Sequence, residues 1–229
     1  MKIGIFGTGM VGRALGAKFA ELGHSVMIGT RNVDETLKKN EPDGYGNPPF
    51  RVWQSQNPKI MIGSFAEAAA HGELLVNATS GGSSLSALKL AGDGNLGRKL
   101  LIDVSNPLDF SAGMPPSLSV CNTDSLAERI QEAFPDLRVV KTLNTMNARL
   151  MVAPRSLAEG DHIVFMSGDD PDAKVKVADI LKNWLGWKQV IDLGGISTAR
   201  GAEMLLPLWI SLMGVLGTAE FNFKIVKAG

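Results

Sequence analysis

The chain has 229 residues, of which 45% are hydrophobic and 20% charged, as is usual for a soluble globular protein. At roughly 150 residues per domain, this length is about one and a half domains and can bury a core without disulfide or metal staples. The 23 Lys and Arg residues balance 23 Asp and Glu residues. Because proteins that bind phosphate backbones need a basic excess or patch, we expect no nucleic-acid partner.

The residue types that bind metals or form disulfides are scarce. Cys121 is the only cysteine, which excludes an internal disulfide and a cysteine-rich zinc site. His24, His71 and His162 lie far apart in the sequence, so we expect no metal site. The N-terminus shows no signal-peptide pattern, and the longest apolar stretch, 204–217, is shorter than the ~20 residues that span a bilayer. These features predict a cytoplasmic protein with no membrane partner.

Short β-branched runs alternate with amphipathic segments along the whole chain, which predicts βαβ units on a largely parallel sheet. No linker or internal repeat interrupts the pattern. We therefore predict one α/β domain over 1–229, a Rossmann-type doubly wound, mostly parallel sheet with a core at 1–193 and an appended C-terminal helix and strand at 194–229. The expected strands are 2–6, 25–30, 59–62, 74–78, 99–104, 139–143, 163–166, 190–193 and 221–226.

Helices are predicted where apolar residues recur at helical spacing or where capping residues precede such a run. Ser64 and Glu67 form a capping-box pair, and Asp170 followed by Pro171 is a typical helix start. Segments 41–58 and 108–122 lack periodicity and are expected to be loops. The expected helices are 11–22, 34–39, 64–72, 125–134, 170–186 and 197–217, the last kinked at Pro207.

The sharpest motif is a G-x-G-x-x-G that follows the first strand and opens the first helix. Gly7 permits a tight turn, Gly9 lets the backbone approach a pyrophosphate, and Gly12 lets the helix pack close to the sheet. Free amides at the positive end of the helix dipole favour an anion there. The motif predicts a dinucleotide-binding turn, the alternative being a glycine-rich turn without a ligand. The candidate contacts are Gly7, Thr8, Gly9, Met10, Val11 and Gly12.

The end of the second strand indicates which dinucleotide binds. A site that prefers NAD usually has Asp or Glu there, to accept the ribose hydroxyls. This sequence has Thr30, Arg31 and Asn32 instead. A guanidinium binds phosphate oxygens bidentately, and a threonine hydroxyl can add a bond. We therefore predict NADP(H), with these three residues near the 2′-phosphate; the alternative is that Arg31 is only a solvated residue.

Three further strand ends are small and polar, and in an open parallel sheet the ligand lies across such ends. Ser, Thr and Asn residues there can bind the nicotinamide carboxamide and ribose, or can simply cap the helices that follow. The candidate cofactor contacts are Ala78, Thr79, Ser80, Asn106, Pro107 and Asn144.

A general acid for carbonyl reduction is missing from these strand ends, because no Lys, Tyr or His stands at them and Tyr45 falls in an expected loop. We therefore assign no catalytic residue. Hydride exchange between NADPH and a flavin-like ring needs no strong protein acid, since the proton can come from solvent. It depends on holding two flat rings face to face.

The sequence resembles the NADPH-dependent oxidoreductases of the 8-hydroxy-5-deazaflavin:NADP reductase type, which are related to the NADPH domain of the STEAP metalloreductases. The segments that carry the resemblance are 2–12, 29–31, 103–107, 140–145, 199–200 and 221–226.

The resemblance implies NADP on the glycine-rich turn, with Thr30 and Arg31 at the 2′-phosphate. It also implies a dimer, with the second ring docked near the nicotinamide. One departure is Glu35, where the family often has a basic residue that Lys38 or Lys39 would have to replace.

The last predicted helix carries an apolar face that suits either of two environments. Burial against the same chain is one, and a homodimer interface, whose core resembles a protein core, is the other. The residues of this face are Leu205, Leu208, Leu212 and Leu216, widened by Trp209 and Met213.

The leading hypothesis is an NADPH-dependent oxidoreductase that transfers hydride between NADP(H) and a flavin or deazaflavin-type acceptor. A small imine or keto-acid reductase with the same cofactor half is one alternative, although it would need a larger helical domain or a dimer. A non-catalytic NADPH-binding sensor is the other.

Overall fold

The computed structural model describes residues 1–44 and 46–228, so Tyr45 lies outside the described residues. Its strands are β1 (Lys2–Phe6), β2 (Ser25–Thr30), β3 (Met61–Ser64), β4 (Leu74–Asn77), β5 (Leu100–Asp103), β6 (Leu108–Asp109), β7 (Ser117–Leu118), β8 (Arg138–Thr142), β9 (Ile163–Ser167) and β10 (Gln189–Asp192). Its helices are α1 (Met10–Glu21), α2 (Val33–Lys38), α3 (Phe50–Gln56), α4 (Phe65–His71), α5 (Gly81–Ala91), α6 (Asp93–Leu96), α7 (Leu126–Ala133), α8 (Ala148–Val152), α9 (Pro171–Asp179), α10 (Ala199–Met204) and α11 (Leu206–Leu216). A π-helical turn, Ile180–Trp184, continues α9, and 3₁₀ turns cover Pro154–Ser156, Ala158–Gly160 and Ile196–Thr198.

The main sheet has the strand order β10-β9-β8-β5-β4-β1-β2-β3. Six neighbouring strands of this sheet are parallel to one another, namely β8, β5, β4, β1, β2 and β3. This arrangement confirms the predicted Rossmann-type sheet. Strand β9 is antiparallel to β8, and β10 is parallel to β9. The carboxyl ends of β9 and β10 therefore point away from the edge at which the six parallel strands β8, β5, β4, β1, β2 and β3 end.

Helices cover both faces of the sheet, so its central strands are buried on both sides and read as continuous apolar runs. One core cluster joins Ile5 and Val76 of the sheet to Leu15 of α1. The other joins Leu75 to Leu88 of α5. Burying such a side chain stabilises the fold by about 1.5–3 kcal/mol, so these contacts fix α1 and α5 against the strands that lead into them.

The predicted helix signals are confirmed where side chains cap the backbone. The Ser64 side chain accepts a hydrogen bond from Glu67 N while Glu67 bonds back to Ser64 N, a complete capping box. Asp170 accepts from Ala173 N at the start of α9. The last helix is interrupted at Leu205, two residues before Pro207, as the predicted kink requires.

Three sequence predictions are wrong. Segment 108–122 is not loop throughout, because the short strands β6 and β7 pair within it as an antiparallel hairpin. Segment 41–58 is not loop throughout, because α3 forms within it and buries Phe50 in the core. Residues 221–226 form no strand, so the extension ends in an extended segment rather than an appended strand. Ile163 N does donate to Phe223 O at 3.0 Å, but the segment is anchored by its side chains, with the Phe221 ring stacked 5.2 Å from Trp209.

By length and composition, the run Ile196–Leu216 could cross a membrane, with a mean hydropathy of 1.3. The core helices of many soluble proteins pass the same test. Here 28% of the most apolar window is buried within the chain, so much of this run faces outwards in the described residues.

Candidate active site

The glycine-rich turn has the geometry that its sequence predicts. Gly7 has a φ of +115°, and a Cβ there would lie 2.5 Å from the carbonyl oxygen of Ala78. A Cβ on Gly12 would lie 2.1 Å from the carbonyl oxygen of Gly7, whereas one on Gly9 would meet no atom within 4 Å. No side chain caps α1, so its first amides are available to a ligand at the open space in front of Gly9.

The end of β2 lies beside this turn, where Gly7 N donates to Gly29 O at 3.0 Å. Thr30 is mostly buried, and its hydroxyl lies 2.8 Å from that of Thr36. Asn32 caps α2 by accepting a hydrogen bond from Glu35 N. Arg31 is exposed and makes no ion pair within the described residues, so of the three predicted residues its side chain is the freest to bind a phosphate.

A cleft of 410 Å³ lies beside the turn, between Thr8, Gly9 and the segment that precedes α3. Arg13 holds this segment in place: its Nε donates to Thr8 O at 2.8 Å and its Nη1 to Pro48 O at 2.6 Å. Burial lowers the pKa of Arg13, and the Asp43 carboxylate acts in the opposite direction. Lys39 lines the same cleft, which makes it the lysine better placed to replace the basic residue that is absent at Glu35.

A second cleft, of 480 Å³, lies along the carboxyl ends of β4 and β5. It brings together Val11 of the turn with residues 78–80 and Asn106, all predicted from sequence. Leu108, in β6 of the small β6–β7 hairpin, and Phe110, which directly follows β6, form an apolar part of its lining. None of the lining residues is an acid or a base.

Two predicted residues lie behind this lining instead of on it. Asn144 is only 2% exposed, and its Nδ2 donates to Asn106 Oδ1 at 2.9 Å while Asn106 Nδ2 donates to Asn144 O at 2.8 Å. Pro107 accepts a hydrogen bond from Ser119 N and packs closely against Gly81. Both residues therefore support Asn106 in the cleft.

The sequence analysis missed a layer of buried charge beneath the cleft. Lys141, near the end of β8, contacts Asp103 at the end of β5 and Glu203 of α10, each at 2.8 Å. Burial acts to lower the pKa of Lys141, but the two carboxylates outweigh it and hold the pKa above its ordinary value. The signal was present, because Asp103 and Lys141 are charged residues that directly follow apolar runs in β5 and β8.

Comparison with known proteins also indicates an NADP-dependent oxidoreductase. Residues 2–107 match the family model described as "NADP oxidoreductase coenzyme F420-dependent". A crystal structure from Arthrobacter sp. FB24, described as "a putative F420 dependent NADP-reductase", is 57% identical and superposes with a TM-score of 0.95, covering 99% of this chain and 100% of that one.

Two curated relatives are more distant. The F420-dependent NADP reductase of Methanothermobacter thermautotrophicus is 27% identical over 218 residues, which is 93% of this chain and 89% of the relative. The metalloreductase STEAP3 of Rattus norvegicus is 28% identical over 213 residues, 91% of this chain. The match covers only 38% of that metalloreductase.

The Rossmann-type sheet and these relatives define an NADP-dependent oxidoreductase. The turn fits that cofactor on structural grounds, since Gly9 leaves open space and the amides of α1 are uncapped. More specifically, the chain belongs to the family of coenzyme F420-dependent NADP oxidoreductases.

Proposed function

We propose that the enzyme transfers hydride between NADP(H) and a flat-ring acceptor of the flavin or deazaflavin class, in the cleft along β4 and β5. The observation that carries this proposal is the composition of the cleft, which is lined by small, amide-bearing and apolar residues without an acid or base. Ring-to-ring hydride transfer needs alignment more than proton transfer, because solvent can supply the proton. The family supports the same acceptor class.

In this proposal, different parts of the site bind different parts of the cofactor. The turn from Gly7 to Gly12 would hold the pyrophosphate, and Arg31 the 2′-phosphate. Thr79, Ser80 and Asn106 would orient the nicotinamide ribose and carboxamide at the cleft. When bound, NADP(H) supplies or accepts the hydride; the chain binds, orients and excludes water.

The acceptor would lie against the hairpin side of the cleft. Phe110 is 48% exposed although it is a large aromatic residue, and it lines the cleft beside Leu108. An aromatic side chain of this kind can stack on a flat ring, which is worth about 0.5–1.5 kcal/mol beyond the area buried. A flavin-type ring would cover this exposed apolar surface.

A substrate panel tests the proposal directly. NADPH absorbance is followed with F420, FMN, FAD, cyclic imines and keto acids as separate acceptors. We expect oxidation with F420 or a flavin and none with imines or keto acids. Turnover only with imines or keto acids would support the alternative reductase. Tight NADPH binding without any turnover would support the sensor, and either result would overturn the proposal.

We also propose that the enzyme is a homodimer through α11. Trp209 and Ile210 are buried against the same chain, whereas Leu208, Val215 and Leu216 are 51%, 85% and 54% exposed. An exposed apolar face of this kind resembles the core of an interface between subunits. Sedimentation velocity should show a dimer at micromolar concentration that Leu208→Asp dissociates. A wild-type protein that sediments as a monomer would contradict the proposed dimer. So would a monomer that binds lipid vesicles in a flotation assay.

A further inference from the structure

The buried charge beneath the cleft involves three elements of the fold. The side chains of Lys141, Asp103 and Glu203 are 1%, 0% and 1% exposed. Glu203 also accepts hydrogen bonds from Leu126 N at 2.8 Å and Ala127 N at 3.1 Å, which are the first amides of α7. Each carboxylate thus accepts hydrogen bonds from several buried donors. We call these three side chains the ion cluster.

The ion cluster makes three hydrogen bonds to one residue of the cleft lining, Ser105. Lys141 Nζ donates to the carbonyl oxygen of Ser105 at 2.5 Å. Asp103 Oδ1 accepts from Ser105 Oγ at 2.7 Å and from Ser105 N at 3.2 Å. The backbone of Ser105 is therefore fixed on both its amide and its carbonyl side, and the next residue is Asn106.

Asp103 also connects the ion cluster to the other side of the cleft. Its Oδ1 accepts from Asn77 Nδ2 at 2.8 Å, and Asn77 Oδ1 accepts from Thr79 Oγ1 at 2.7 Å. Hydrogen bonds thus run from Lys141 to both of the strand ends that line the cleft. A well-packed apolar substitute for a buried ion pair is often as stable as the pair, so stability alone does not explain this arrangement.

We propose that Lys141 is a positioning residue, which acts with Asp103 and Glu203 to hold Ser105 and Asn106 in the geometry that binds the nicotinamide half of NADP(H). The proposal needs the cofactor to lie across the cleft, but it does not depend on the identity of the acceptor. Its consequence is that loss of the ion cluster weakens binding at one end of the cofactor only.

The experiment compares two ligands in the absence of any acceptor. NADPH spans the whole site, whereas adenosine 2′,5′-bisphosphate contains only the adenosine half with its 2′-phosphate. Their Kd values are measured by titration calorimetry for the wild type and for Lys141→Met, Glu203→Gln and Asp103→Asn. The last two variants keep the size of the side chain. They therefore answer the question if Lys141→Met does not fold, as judged by circular dichroism.

We expect the folded variants to bind NADPH at least about fivefold more weakly, the range for one lost or misplaced hydrogen bond, with the bisphosphate affinity unchanged within about twofold. Arg200→Gln is the matched control. It removes the 2.6 Å ion pair with Glu128, between the same helices α10 and α7, without touching Lys141. It should leave both affinities unchanged.

Equal weakening of both ligands in the folded variants would show a general structural role and overturn the proposal. Unchanged NADPH affinity in a folded Glu203→Gln or Asp103→Asn protein would also overturn it. Neither result depends on which acceptor the enzyme uses, so failure here is distinct from failure of the proposed hydride acceptor.

Discussion

Gly12 packs directly on Gly7, so that a Cβ on Gly12 would lie 2.1 Å from the carbonyl oxygen of Gly7. Gly9, between them, faces open space. Packing of the helix on the strand therefore requires glycine at position 12, whereas we propose that a ligand requires it at position 9.

Substitution at these glycines should separate stability from binding. Gly12→Ala must displace backbone, which costs about 1–3 kcal/mol in overpacked sites, so its Tm should fall. Gly9→Ala should leave the Tm near that of the wild type and weaken NADPH binding, because its methyl group occupies the space that the pyrophosphate would approach. Thermal unfolding and calorimetric titration measure the two effects. A Gly9→Ala protein with wild-type affinity would place the pyrophosphate elsewhere.

Arg31→Ala tests the choice between NADP and NAD. A charge-assisted hydrogen bond is worth about 1.5–3 kcal/mol, so NADPH affinity should fall roughly ten- to hundred-fold while NADH affinity hardly changes. The control is Arg98→Ala, an exposed arginine just before β5, at the amino ends of the parallel strands. Equal losses for the two dinucleotides would exclude Arg31 from the 2′-phosphate site.

Phe110→Ala tests the acceptor side of the cleft. We expect a KM for the F420 or flavin acceptor about three- to tenfold higher, which corresponds to one lost ring contact, and an unchanged Kd for NADPH. Met114→Ala is the matched control, since Met114 is 66% exposed in the loop between β6 and β7 but does not line the cleft. If the two variants have the same acceptor KM as the wild type, the ring does not lie against Phe110.

The ion pair between Glu128 and Arg200 should make stability depend on pH in the acid range. The hydrogen bond from Arg200 lowers the pKa of Glu128 from its ordinary 4.5, against the opposing effect of burial. A carboxyl with a depressed pKa stabilises the fold fully above its ordinary value, and this contribution is lost as the pH falls through the depressed value. Denaturant unfolding from pH 6 to pH 3 should therefore show a smaller loss of stability for Glu128→Gln than for the wild type. Parallel curves would exclude this contribution.

The local sequence determined much of the part of the fold that is predicted to bind the cofactor. The strand, turn and helix at 2–21 follow from an apolar run, three glycines at fixed spacing and a helical repeat, all close together in the chain. Arg31 at the end of β2 could be predicted for the same reason. Capping pairs such as Ser64 with Glu67 are also local, so their helices begin where the sequence indicates.

Only the tertiary structure decided the features that depend on distant residues. Strand β9 runs antiparallel to β8, and β10 runs parallel to β9. Periodicity does not encode this direction, because it depends on which strands pair. Apolar and polar side chains alternate over residues 221–226 as they do in a strand. Phe221 nevertheless packs its ring against Trp209 instead of joining a sheet. Likewise, nothing in the local sequence pairs Lys141 with Glu203. They become an ion cluster because β8 and α10 meet in the interior, where a charge must find a partner.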